Sequence, residues 1–255
     1  MNSATSDATP SLRAPAWATL LTLLALAAWE AAGWDMALSR RVADGAGFAL
    51  RHAWWTEQLL HNGGRILSGL FLALLVWDAW RPLVPGPTRR ERVYWLATSV
   101  GILLLVPAFK RLSRTSCPWD LAPFGGQVPY VPHWLLGVAD GGAGRCFPSG
   151  HAVAAFAFIG LFFLWRRHRP RGARIFLAVL LALGAVFGAA QLLRGAHFAS
   201  HTLWSAWLCW ALALLAARLE PAAHRLQDVQ ARRPAEVGDG VLGAPGHGDT
   251  LEQRR

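Results

Sequence analysis

The chain has 255 residues, of which 54% are hydrophobic, 16% charged and 14 tryptophan, whereas soluble domains carry about 25% charged residues. Apolar stretches near the roughly 20-residue spanning length recur along it, which excludes a soluble globule and, away from the ends, a disordered chain. The formal charge of +10 would mark a nucleic-acid binder in a soluble protein. Here the arginines fall between apolar segments and in the tail, as membrane topology requires, so no nucleic-acid partner is expected.

Residues 1–14 are polar and expected to be disordered, and Pro15–Trp34 reads as a first span. Its Ala25-Leu26-Ala27 run imitates a signal peptide, but the basic start is no more than Arg13, so an uncleaved span is expected. Glu30, near its end, belongs either at the interface or against a polar interior. Residues 35–64 hold no span. Within them Phe48–Leu60 mixes apolar and polar positions around Trp54 and Trp55, which suits a helix lying in the headgroup layer or a loop with aromatic anchors. Ile66–Trp80 is the core of a second span, and the prolines and glycine of Arg81–Arg92 make a loop.

Val93–Phe109 is a third span that ends at Lys110, and a long connection, Arg111–Pro148, follows. Ala152–Trp165 opens directly after Ser149-Gly150-His151 as a fourth span; Ile175–Leu193 is a fifth and Leu203–Leu219 a sixth. Residues 220–255 lack aromatics, are rich in Gly, Pro and Arg, and are expected to be a disordered cytoplasmic tail. The fold class is therefore all-α, a six-transmembrane-helix bundle over residues 15–219, with no internal repeat.

Arginine counting orients it. The second-to-third loop carries Arg81, Arg89, Arg90 and Arg92, and the fourth-to-fifth has five arginines in nine residues. Both lie on one side of a six-span bundle together with the tail, and the positive-inside rule makes that side cytoplasmic, although Arg40, Arg41, Arg51 and Arg65 weaken the contrast. A multi-pass protein of a bacterial cytoplasmic (inner) membrane is the expectation.

In this topology Lys110-Arg111, Pro148-Ser-Gly-His151 and Arg194–His201 all meet at the outer helix ends. Lys110 is the single lysine among 25 basic residues. Histidines, cations and glycine amides gathered at one face are what phosphoryl transfer needs: fixed charges and N–H groups hold phosphate oxygens, one histidine attacks and another supplies a proton.

These residues carry a resemblance. Phe147-Pro-Ser-Gly-His151 at a helix start resembles the second motif of the type-2 phosphatidic acid phosphatase superfamily, which includes the vanadium haloperoxidases. Lys110 followed eight residues later by Pro118 is similar to the first motif, Lys-x6-Arg-Pro, and His197-Phe-Ala-Ser-His201 to the third, which ends His-Tyr-Pro-Ser-Asp. The resemblance spans about residues 93–205. It departs at three places: Cys117 stands for the first-motif arginine, Gln191 for that of the third motif, and His201 for the final aspartate. Arg114 and Arg194, each about one turn away, read as relocated phosphate clamps.

The resemblance implies roles. His197 attacks phosphorus and forms a phosphohistidine, while His151 protonates the leaving oxygen and then activates water. Lys110, Arg114, Arg194, the Ser149 hydroxyl and the Gly150 amide hold the phosphoryl oxygens, helped by the helix start at Ser149–His151. The fixed cations do the work of a metal, so neither metal nor other cofactor is expected. His201, at i+4 from His197, accepts its hydrogen bond as a neutral group in place of the aspartate, unless Asp120 or Asp140 supplies that charge. A second register, with His201 as nucleophile, leaves Arg194 one residue too far. The ordinary alternatives are polar interface anchors for the histidines, a snorkelling end-cap for Lys110, and solvated loop charges for Arg114 and Arg145.

Cys209 reads as an apolar filler within the sixth span. Cys117 and Cys146 flank the outer loop beside two site motifs, and a disulfide between them would clamp it in an oxidising periplasm; two cysteines alone do not complete a zinc site. Trp119, Phe124, Tyr130, Trp134 and Leu135 either dip into the outer leaflet or pack the loop.

The expected activity is an integral-membrane, metal-independent phosphatase acting on a membrane lipid phosphate or pyrophosphate, with no obligate protein partner. Undecaprenyl pyrophosphate, phosphatidylglycerol phosphate, phosphatidic acid and lipid A phosphates all fit. The competing readings are a lipid phosphotransferase using the same site, a haloperoxidase, an inactive lipid-phosphate binder and a transporter. The membrane spans disfavour the haloperoxidase, and clustering of polar groups at one face disfavours the transporter.

Overall fold

A computed structural model of the chain describes residues 11–45, 47–135 and 137–238, with side chains through residue 223. The helices are α1 (Arg13–Ala31), α2 (Trp34–Val42), a π-helix (Trp55–Asn62) that runs directly into α3 (Gly63–Trp80), α4 (Arg89–Lys110), α5 (Gly150–Phe156), α6 (Leu161–Trp165), α7 (Pro170–Leu193) and α8 (Ala199–Gly238). Among the described residues there is no β-strand, only an isolated bridge between Leu121 and Val128. The chain divides at Arg218 into two compact units, and every candidate site residue belongs to the first.

Among the described residues, five helices are long and apolar enough to cross a membrane: Arg13–Ala31, Trp55–Trp80, Arg89–Lys110, Pro170–Leu193 and Ala199–Ala223. They expose large apolar side chains outward, among them Leu21 on α1, Leu70 and Trp77 on α3, Leu104 on α4 and Ile175 on α7. Water does not tolerate so wide an apolar belt; lipid does.

The fourth expected span differs. Gly150–Trp165 covers 16 residues and is broken between Phe156 and Leu161, so it reaches about 24 Å at 1.5 Å per residue, short of the roughly 30 Å hydrocarbon core. Its apolarity has another cause. Ala152, Val153, Phe156, Ala157, Phe158 and Ile159 are almost wholly buried, with α3, α4 and α7 packed around α5. The segment is the axle of the bundle, apolar because protein surrounds it.

Two further expectations are corrected. The second span begins at Trp55 rather than Ile66, because the polar residues before it continue its helix. The stretch after Glu220, expected to be disordered, continues α8 to Gly238, in keeping with its run of Ala, Leu, Arg and Gln, all good helix formers. Residues 1–10 and 239–255, which hold the rest of the two expected disordered ends, lie outside the described residues.

Local chemistry sets the helix ends on both sides of the bundle. Thr88 and Glu91 form a reciprocal capping box that starts α4, and Arg92, buried behind it, pairs with Asp78 of α3 and donates to the Pro87 carbonyl. At the other end α7 stops in a Schellman motif: the Gly195 N–H reaches the Leu192 carbonyl at 2.9 Å and the Ala196 N–H the Gln191 carbonyl at 2.9 Å. Gly195 has φ +69°, and a Cβ there would run into the ring of Phe48. Asp35 of α2 then accepts from the Ser200 N–H at 3.0 Å and from its hydroxyl, capping α8 from a neighbouring element.

Gly195→Ala should therefore destabilise the fold. The left-handed conformation alone costs a non-glycine residue about 1–2 kcal/mol, and the Phe48 overlap adds to it. The expected readout is a melting temperature in detergent lowered by at least about 2–4 °C; an unchanged value would show that this turn is not rigid.

Candidate active site

The second and third motif segments are stitched by hydrogen bonds. The Ser149 N–H donates to the His201 carbonyl at 3.2 Å, and the Ser205 hydroxyl reaches both the Ser149 and His201 carbonyls, at 2.9 and 2.8 Å. The peptide bond between Phe147 and Pro148 is cis. Ser149 occupies the N-cap position of α5, yet its hydroxyl caps nothing: the Oγ is buried without a hydrogen-bond partner. A buried hydroxyl is rarely left unpaired, so this one is free for a ligand.

His197 follows the Schellman turn and is 2% exposed. Its Nδ1 lies 3.4 Å from Nδ1 of His201, the residue one helical turn on and equally buried. When His197 Nδ1–H donates there, the lone pair of His197 is left on Nε2. Burial, and then the charge of Lys110, hold the His197 imidazole well below its ordinary value. The ring is therefore neutral near neutral pH.

His151 sits in the first turn of α5, its Nδ1 buried and unpartnered. Its ring packs against that of His61, centroids 3.7 Å apart, and His61 Nδ1 is 3.0 Å from Asn62 Oδ1. The cations whose charge reaches His151 are Lys110, Arg65 and Arg194. Lys110 passes over Gly150, its Cδ 4.0 Å from where a Cβ on that glycine would stand. Arg194 is buried and held by the Arg51 carbonyl, 3.0 Å from Nε, and by Glu57, 3.8 Å from its guanidinium. The result is a cluster of two histidines, three cations within reach of them and an unused hydroxyl.

Of the residues singled out in the sequence, His151, His197, His201, Lys110, Ser149, Gly150 and Arg194 are brought together. Arg114 is not gathered in: its side chain is exposed on the outer loop and donates to the Gly137 carbonyl at 3.4 Å. Arg145, with φ +57°, is exposed on the same loop. Gln191, at the family's arginine position, contributes its carbonyl to the turn that delivers His197. Asp120 accepts from the Trp119 indole at 3.0 Å, and Asp140 holds the Ser116 and Gly142 amides. Both carboxylates are thus engaged within the loop.

His61 and Arg65 were missed. They come from the end of the π-helix and the first turn of α3, just beyond Phe48–Leu60, the stretch read as an interfacial helix or a loop. A signal was present: Glu57, His61, Asn62 and Arg65 recur at three- and four-residue steps directly before an apolar run, the polar end of one amphipathic helix.

The family model of the PAP2 superfamily matches residues 92–225, more than half of the chain. The chain belongs to the PAP2 superfamily. No curated protein matches it. Among solved structures it is similar to the crystal structure of the first transmembrane PAP2 type phosphatidylglycerolphosphate phosphatase from Bacillus subtilis, with a TM-score of 0.53 and 19% identity over 82% of this chain and 96% of that one. At that identity the likeness is one of fold.

In this PAP2 chain Cys117 and Cys146 form a disulfide that closes the outer loop beside the site. Cys146 Sγ lies 3.6 Å from His197 Nδ1. The two sulfurs and His197 are close enough to suggest a metal site, but sulfurs joined to each other are not thiolates and do not ligate as such. Cys209 is free and buried in α8. Reducing the bridge should lower stability by about 2–4 kcal/mol, measured by thermal unfolding with and without a membrane-permeant reductant. Mass spectrometry of the unreduced protein should find Cys117 and Cys146 linked; two free thiols there would remove the clamp from this account.

Proposed function

We propose that this PAP2 protein is a lipid phosphatase that hydrolyses a phosphate or pyrophosphate headgroup through a phosphohistidine on His197. The observation that carries this is the pairing of Nδ1 of His197 with Nδ1 of His201; with His197 as the donor, Nε2 would be the reactive nitrogen, and the charges of His151 and Lys110 reach this ring. Lys110, Arg194 and Arg65, with the Ser149 hydroxyl and the Gly150 amide, would hold the phosphoryl oxygens and offset the charge that builds on them. Phosphorus bonds to His197 Nε2 as its bond to the leaving oxygen breaks; His151, which burial and the neighbouring cations pull down to about 3, takes up a proton as the bound phosphate's negative charge favours its cationic form, and gives it to that oxygen. Water then attacks the phosphohistidine, with His151 taking its proton, and inorganic phosphate leaves.

The apolar surroundings favour a lipid. A groove of about 210 Å³ between α3, α5 and α7 is lined by Gly64, Phe71, Ala155, Phe158 and Phe187, and starts within one turn of His61 and His151. A hydrocarbon chain lying there would place its headgroup at the cluster of histidines and cations. The fold-level likeness to a phosphatidylglycerolphosphate phosphatase puts that lipid among the first candidates, beside undecaprenyl pyrophosphate, phosphatidic acid and lipid A phosphates. Arginine placement favours a site on the periplasmic side of an inner membrane, and the fixed cations favour catalysis without a metal.

The test is phosphate release by the detergent-purified protein across a panel of lipid monophosphates and pyrophosphates, with a chelator present. Release is expected from at least one lipid, to be abolished in His197→Ala and reduced roughly 10²–10⁴-fold in His151→Ala. No release from any lipid by folded protein would overturn the hydrolase reading. Activity in His197→Ala with none in His201→Ala would assign the nucleophile to His201.

The pH profile follows from the depressed His197. A group whose pKa is lowered keeps its neutral form to more acid pH, so the acid limb of kcat/KM should lie below the ordinary histidine value of about 6.5. A limb centred at that value would show that His197 is not the group being titrated.

A further inference from the structure

One buried cluster behind the site takes no part in the scheme above. Glu30, from the outer end of α1, and His133, from the outer loop, meet behind His201. Glu30 Oε1 lies 3.3 Å from His133 Nε2, with side chains only 10% and 7% exposed, and the same oxygen accepts from the Trp204 indole at 3.0 Å. The His133 ring stacks flat on Phe147 with centroids 3.9 Å apart, and stands perpendicular to His201 at 5.2 Å. His201 in turn touches His197. The contacts run unbroken from a carboxylate through two imidazoles to the nucleophile.

Burial pulls His133 down to about 4, so the ring is neutral near neutral pH and its Nε2–H donates to Glu30. A glutamine could accept the same two hydrogen bonds; an acid at this position can in addition carry a negative charge. The remaining nearby carboxylates are engaged elsewhere: Asp35 with Ser200 and the Trp29 indole, Asp120 and Asp140 within the outer loop. His201, standing where the family motif has an aspartate, brings no charge of its own.

We propose that Glu30 is a positioning residue that acts through His133 and His201 to give His197 the negative support which the family's aspartate gives by direct contact. The proposal rests on the phosphohistidine reading above. As His197 Nε2 bonds to phosphorus and the leaving oxygen departs, the imidazole becomes cationic while keeping its Nδ1–H, which stays donated to His201. No further proton moves. The Glu30 carboxylate, two rings away in a poorly screened interior, lowers the energy of that cation, and His133 holds His201 in the orientation that accepts.

The experiment measures kcat and KM for lipid phosphate hydrolysis in Glu30→Gln, in His201→Asp and in the two combined. Glu30→Gln should lower kcat about tenfold with KM unchanged. In the His201→Asp background, where a carboxylate touches His197 directly, the same change should lower kcat less than about twofold. Wild-type kcat in Glu30→Gln overturns the proposal. An equal fold-loss in both backgrounds overturns it too, since that is what a purely structural role predicts. His201→Asp protein with no turnover also overturns it. Should Glu30→Gln not fold, His133→Phe is judged by the same two ratios. An inactive wild-type protein would instead be a failure of the phosphatase reading, which the lipid panel detects on its own.

Discussion

The hydrogen bond from the Ser149 N–H to the His201 carbonyl, with the Ser205 hydroxyl bridging the same two residues, joins parts of the chain that lie some fifty residues apart. The candidate site depends on it. His151 follows Ser149 by two residues and His197 precedes His201 by one helical turn, so this stitch sets the distance between the two histidines. It also sits at the end of an apolar core, where an unpaired amide or carbonyl would be expensive. The bilayer thereby enforces the geometry: displacing either strand would strand polar backbone in a medium that offers no replacement partner.

Around that junction the charges are laid out asymmetrically. Lys110, Arg65 and Arg194 bring their charge to His151 in front, whereas Glu30, Asp35 and His133 lie behind the two histidines of the third motif. Positive charge in front would suit a bound phosphate, and acidic groups behind would suit a histidine that turned cationic in the proposed reaction. Arg194 is braced by Glu57 and the Arg51 carbonyl, and Arg51 in turn lies over the Trp119 ring at 4.5 Å. Preorganised charges of this kind need no rearrangement as the reaction proceeds.

Much of this was legible in the sequence, for a physical reason. His151 and His197 sit in short motifs whose local structure, a helix start and a helix-end turn, is dictated within a few residues. Lys110 closes an apolar run, and the disulfide pair brackets a single loop. What escaped was set by packing. Arg114 is close to the first motif in sequence, but the loop turns its side chain to the surface, while Arg65, from an unsuspected element, fills in as a cation. The fourth apolar stretch is shorter than the other five, and burial in protein demands the same residues as burial in lipid, so its sequence alone does not show that protein surrounds it. Glu30 and His133 are over a hundred residues apart, and no local pattern pairs them.

The π-helix at Trp55–Asn62 has a consequence of its own. Successive residues of an α-helix are offset by about 100°, and the wider turn changes that count just before α3 begins. The segment works as a phase adjuster between two obligations: α3 must show Leu70 and Trp77 to hydrocarbon, while His61 at its outer end must face His151. A regular helix of the same length would satisfy one and rotate the other away. Relaxing this stretch by a single residue would thus swing His61 off His151 without disturbing the membrane face of α3 at all.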